Sequence, residues 1–275
     1  MSAVLAGIRQ DFLDGRRSYM LWGVVGCYVL LAAVLFYAVG ELPDPATWLA
    51  IEVTAVSSML ILPSIAMLAG YLAIAGERES GTVRFLLGYP TSRATVVFGK
   101  AASRFAIVAT RIVAGLAVGT GIASIRYPHV SVGELVAFAV LTLVFAAAFV
   151  GIAIGLSAAV ASRARTMAGV IGCYVLFTMF WSYFSPVTVP DVIALLLGQV
   201  GAELPAWLHE VLLMATLPVA YLHGVEAVVG VETDFRAPDV TGIGGRPAAL
   251  LGILLAWATV PVTHGYHRFR RADIG

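Results

Sequence analysis

Charge is scarce in this chain. Only 12% of its 275 residues are Asp, Glu, Lys or Arg, where a water-soluble domain carries about 25%. With 60% hydrophobic residues, a soluble fold of this length lacks the interior to hide its apolar surface, so the solvent is largely lipid. Cysteine is nearly absent. Cys27 and Cys173 both sit inside apolar runs, which argues against a disulfide framework or a paired-cysteine metal site and makes small buried hydrophobes the expectation. His209, His223, His264 and His267 have no cysteine or carboxylate at ligand spacing, so no metal site is expected. No glycine-rich phosphate loop ending in Gly-Lys-Ser or Gly-Lys-Thr occurs, since Gly99-Lys100 is followed by Ala101. The N-terminus mixes acids and arginines before its first apolar run, and so reads as a retained segment rather than a cleaved leader.

Long apolar runs are present instead, uncharged except for Arg111. A spanning helix needs about 20 mostly apolar residues. Six segments qualify: 19–40, 53–75, 105–125, 135–162, 166–183 and 247–266. The fold expected is all-α, a single membrane-embedded domain over 1–275. Residues 1–18 form an interfacial helix, with Val4, Leu5, Ile8, Phe12 and Leu13 on one face. Region 184–245 lies between the fifth and sixth spans and carries short capping helices. Within it, 211–225 is apolar but short, and contains Pro218 and His223, which suits an interfacial or re-entrant helix better than a seventh span.

With six spans the loops alternate sides. One side collects Arg9, Arg16, Arg17, Arg78, Arg84, Arg93, Lys100, Arg104, Arg163, Arg165, Arg268, Arg270 and Arg271; the other has Arg126, Arg236 and Arg246. This asymmetry makes the first side cytoplasmic, with both termini there; the plasma membrane is the expected location.

Segment 76–100 therefore lies in the cytoplasm, and it is longer than a plain connection requires. It reads as a short amphipathic helix, a turn at Gly88–Ser92, and a helix capped by Thr91 or Ser92 that starts near Ala94. Its stretch "ERESGTVRFLLGYPTSRATVVFGK" resembles the cytoplasmic segment of ATP-binding-cassette type-2 permeases. Glu77, Glu79, Gly81, Thr82, Leu86, Leu87, Pro90, Arg93, Gly99 and Lys100 fit that pattern in order.

The resemblance implies a coupling helix that docks on a separate ATPase subunit. ATP and magnesium would bind on that partner, with no cofactor in this chain. Glu77, Glu79 and Arg84 would make charged contacts, Gly81 would allow close backbone approach, and Pro90 and Arg93 would fix the turn and re-entry; Thr82 and Lys100 complete the ATPase-coupling set. It also implies an exporter built from two permease chains, here a homodimer, in contact with lipid and not with nucleic acid.

Two intramembrane features stand apart from that segment. Arg111 lies about 16 Å beyond Lys100 along a helix, deep in the membrane, with Arg104 seven residues earlier on the same face. They serve a path or gate, or a structural pairing for which Glu52 is a candidate. Gly151 and Gly155 form a small-xxx-small pair, suited to packing within the chain or to a face for a second copy. The rival functions are an intramembrane protease and a passive channel or anchor. The first lacks its motif, since "GLSA" at 155–158 misses the second glycine. The second leaves segment 76–100 unexplained.

Overall fold

A computed structural model of the chain describes residues 19–81, 92–180, 188–230 and 247–272. Within them all regular structure is helical. The helices are α1 (Tyr19–Val39), α2 (Thr47–Gly70), α3 (Ala75–Glu79), α4 (Arg93–Arg126), α5 (Val132–Ala159), α6 (Arg163–Val175), α7 (Val189–Gly198), α8 (Ala206–Met214), α9 (Leu217–Val229) and α10 (Pro247–Arg271). A π turn, Leu176–Phe180, continues α6. Residues 1–18, expected as an interfacial helix, lie outside the described residues.

Among the described residues, four stretches are long and apolar enough to cross a membrane: Thr47–Glu79, Arg93–Arg126, Val132–Ala159 and Pro247–Arg271; a fifth is obtained if the bent pair α8–α9 counts as one. α1 adds 21 uncharged residues. Several helices outrun the apolar runs that mark them. α4 has 34 residues, about 51 Å at 1.5 Å per residue, and so exceeds a hydrocarbon layer of about 30 Å. Its first turns carry Arg93 and Lys100, which hydrogen-bonded helix accommodates as readily as apolar residues once outside lipid. Ser92 caps it by accepting from the Thr95 N–H at 3.1 Å. α6 is shorter than the apolar run 166–183, because the backbone widens into the π turn after Val175.

The bundle is organised around α5. Its buried face carries Phe138, Phe145 and Phe149, and its two glycines meet α10. A Cβ on Gly151 would lie 2.4 Å from the Ala258 carbonyl oxygen, and one on Gly155 2.3 Å from that of Pro261. Opposite, a Cβ on Gly265 would lie 2.4 Å from the Gly155 carbonyl oxygen. Small residues let these backbones touch, so the Gly151/Gly155 face is spent on α10 and is not open to a second copy. Gly115 and Gly119 of α4 do the same for Tyr28 and Phe36 of α1. Of the two cysteines expected to be buried, Cys173 is partly buried and Cys27 is exposed.

α8 and α9 meet at 86°. The segment 211–225 thus turns a corner instead of running straight. The Trp257 indole N–H donates to the Ala215 carbonyl at the elbow, 2.8 Å away, which satisfies a group that the bend takes out of the helix ladder. α9 is inserted among the spans: Tyr221 is fully buried, stacks on Phe145 at 4.3 Å, and shares a hydrogen bond with the Thr142 hydroxyl at 3.0 Å. From there Phe145, Phe149, Phe177 and Trp257 form a run of ring contacts that ends at α10.

Candidate functional site

At one end of the bundle, α2 runs through the turn at Tyr71–Ile74 into α3, α4 begins, α5 ends, α6 begins and α10 ends. Every polar contact described here joins two of these elements. The Lys100 ammonium donates to Glu77 Oε1 at 2.7 Å, and the pair is largely removed from solvent, with side-chain exposures of 7% and 26%. Lys100 is the one lysine of the chain. Glu77 begins the polar insert and Lys100 ends it, so their contact closes the insert into a loop.

Glu79 is half exposed and turns the other way. Its Oε2 accepts from the backbone N–H of Arg163 at 2.7 Å, while the Arg163 guanidinium lies 3.8 Å from Oε1. Ser162, at the N-cap of α6, makes no side-chain cap. The carboxylate of Glu79 does that work from a distant segment, and its negative charge suits a helix N-terminus. Arg163 also donates to the Gly76 carbonyl at 3.2 Å.

Ser157 ties the insert to α5. Its hydroxyl is fully buried and accepts from the N–H groups of both Ile74 and Ala75, each at 3.0 Å. Arg78 donates to the Ala158 carbonyl at 3.2 Å, which occupies one of the carbonyls that the end of α5 leaves unpaired. Arg93 closes α10 in the same manner, donating to the carbonyls of Phe269, Arg270 and Ala272 at 3.1, 2.8 and 2.9 Å. The buried Phe269 ring receives both guanidinium groups, Arg78 at 5.6 Å and Arg93 at 5.9 Å from its centroid.

Of the residues expected in the coupling segment, Glu77, Glu79, Arg93 and Lys100 come together here. Gly81 follows α3 with φ +75° and open space about its Cβ position, so within this chain it serves a left-handed turn. Thr82, Arg84 and Pro90 lie outside the described residues. Arg104 and Arg111 are half-buried farther along α4; the Arg104 Nε is buried without a partner among the described residues. Glu52 of α2 is half-buried as well. Sequence reasoning missed Ser157, Arg78, Arg163 and Phe269. Ser157 was visible only as a polar residue near the end of an apolar run, and nothing local marks it as an acceptor for residues more than 80 positions away.

Other polar contacts lie at the opposite end of the bundle. Glu41 and Arg126 form an ion pair, and the Arg126 guanidinium rests 4.0 Å above the Tyr37 ring. Hydrogen bonding from Tyr37, then hydrogen bonding from and attraction to Arg126, hold the Glu41 carboxyl below its ordinary range. At the start of α7, burial opposes ionisation of Asp191. Hydrogen bonds from Thr188 and His209 outweigh it and lower the carboxyl's pKa.

The sequence profile of a family described as ABC-2 family transporter protein matches residues 5–274. Two curated proteins align along essentially their whole length, each called "Probable ABC transporter permease protein NosY". The one from Stutzerimonas stutzeri is 26% identical over 275 residues, covering 96% of each chain. The one from Pseudomonas aeruginosa is 24% identical over 285 residues, covering all of both.

Proposed function

The chain belongs to the ABC-2 family of transporter proteins, and from that premise we propose that it is a permease subunit coupled to a separate ATPase and working as an exporter. The single observation that carries this reading is the contact set at the basic end of the bundle. The polar insert is fastened through Glu77, Glu79, Ser157 and Arg93 to α4, α6, α5 and α10. A segment pulled by an outside motor has to be anchored to the helices whose relative positions it changes; a merely solvated loop does not.

In this reading α1, α2, α4, α5, α6 with its π turn, and α10 are the six spans. α9 is a re-entrant helix, and the chain forms one domain over 1–275 with both termini cytoplasmic. Arginine excess at the insert end supports that orientation. The ATPase cleft would take residues around Glu77–Arg93, with Thr82, Arg84 and Pro90 in the part that projects. ATP and magnesium are bound by that partner. Two copies of this chain would pair on two ATPases in the plasma membrane, with lipid around them and Arg104 and Arg111 facing a path or gate. The names of the two relatives agree with a permease role.

Co-expression of the chain with an ATP-binding-cassette ATPase encoded beside it tests the proposal. The complex should co-purify from membranes, and Glu79→Lys should abolish the permease-dependent part of ATP hydrolysis. No co-purification, or full stimulation by the variant, rejects the reading. Cysteine labelling that places position 79 outside the cell rejects it independently.

A further inference from the structure

The three residues between α5 and α6, Val160 to Ser162, are extended at both ends, with φ −117°, ψ 139° at Val160 and φ −109°, ψ 131° at Ser162. A short extended link between two helices is where their relative angle can change. Residues 74–79 lie across that link and hold it on both sides. Before it, the Ser157 hydroxyl accepts two N–H groups and the Ala158 carbonyl accepts from Arg78. After it, the Arg163 N–H donates to Glu79 and the Arg163 guanidinium to the Gly76 carbonyl.

We propose that residues 74–79 are a splint across the α5–α6 hinge, with Ser157 as its positioning residue, so that displacement of the insert sets the angle of α6. The inference rests on the coupling role proposed above and specifies which span receives the motion. The asymmetry of the two attachments supports it. α5 is fixed to α10 through Gly151, Gly155 and Gly265 at backbone contact, so it is the stationary side. α6 is short, passes into a π turn, and buries only Thr166 and Val170 of its thirteen residues, so it is the side free to swing. Ser157 sits two residues beyond Gly155 on the fixed helix. It offers one oxygen to two N–H groups, a pivot and not a rigid multi-point bond.

The test uses the chain with its co-purified ATPase in lipid vesicles, in a Cys27→Ala, Cys173→Ala background. Spin labels are placed at exposed positions: Val132 as reference at the far end of α5, paired with Ser80 on the insert or with Met167 on α6. Trapping with ATP and vanadate should shift both the 132–80 and the 132–167 distances. In Ser157→Ala the 132–80 shift should persist and the 132–167 shift should vanish. The amides of Ile74 and Ala75 should exchange with deuterium about tenfold faster, the change expected for losing a hydrogen bond worth roughly 1.4 kcal/mol. Glu79→Ala, which removes the carboxylate that accepts the Arg163 N–H, should keep the 132–80 shift and lose the 132–167 shift in the same way. An unchanged 132–167 shift in both variants overturns the splint, as does unchanged amide exchange in Ser157→Ala. Failure of the ATPase to co-purify removes the coupling role itself and is read separately from those outcomes.

Discussion

Glu77 and Lys100 are 23 positions apart in the chain and 2.7 Å apart in space. One lies in the middle of α3, the short helix that follows α2, and the other lies in the second turn of α4, so a single ion pair fixes the two feet of the polar insert. The ammonium has almost no access to water, and Glu77 Oε2 is buried without a partner among the described residues. Removing the ammonium therefore strands the Glu77 carboxylate.

Lys100→Met should destabilise the fold by about 2–3 kcal/mol, less than a fully buried pair because Glu77 keeps part of its surface in solvent. The double variant Glu77→Gln, Lys100→Met should recover part of the loss, since both desolvated charges are then gone. Thermal unfolding of the purified protein in detergent, set out as a double-mutant cycle, measures both effects.

Gly155→Ala should separate α5 from α10. Its Cβ would meet backbone on the opposite helix at 2.3 Å, and backbone cannot rotate aside as a side chain can. A loss of about 1–3 kcal/mol is expected from such overpacking. Gly172→Ala, with nothing within 4 Å, should leave the melting temperature unchanged or slightly raised.

Trp257→Phe should loosen the elbow between α8 and α9. The ring contact with Phe177 survives in part, but the Ala215 carbonyl loses its indole donor. The expected cost is about 1–2 kcal/mol, seen as faster deuterium exchange in α9 with little change in α4.

The Glu41–Arg126 contact should show in the pH dependence of stability. The folded carboxyl is held below its ordinary range, chiefly by Tyr37 and then by Arg126. Its contribution is thus complete above the unfolded carboxylate pKa of about 4.3, and it is lost as pH falls through the lower folded value. The melting-temperature difference between the wild-type chain and Glu41→Gln should be constant from pH 7 to about 5 and shrink below about pH 4. Raising the salt concentration at pH 7 should shrink it too, because the pair is exposed.

Composition and run length were enough to make this an all-helical chain built for lipid. Scarce charge, six apolar runs and one arginine-rich end are properties that each residue carries wherever it folds. A helix start capped by Thr91 or Ser92, where the structure uses Ser92, and the unsuitability of 211–225 as a straight span were equally legible, because both depend on neighbours a few positions away. Packing decided the rest. Gly151 and Gly155 suited either an internal contact or a second copy, and only the arrival of α10 assigned them inward. Glu77, Glu79, Arg93 and Lys100 were marked by a family pattern, but their partners at Lys100, Arg163, Phe269 and Glu77 were set by which helix ends meet. Ser157 showed only as a polar residue near the end of an apolar run, since a hydroxyl becomes an anchor only when the fold delivers two backbone N–H groups to it.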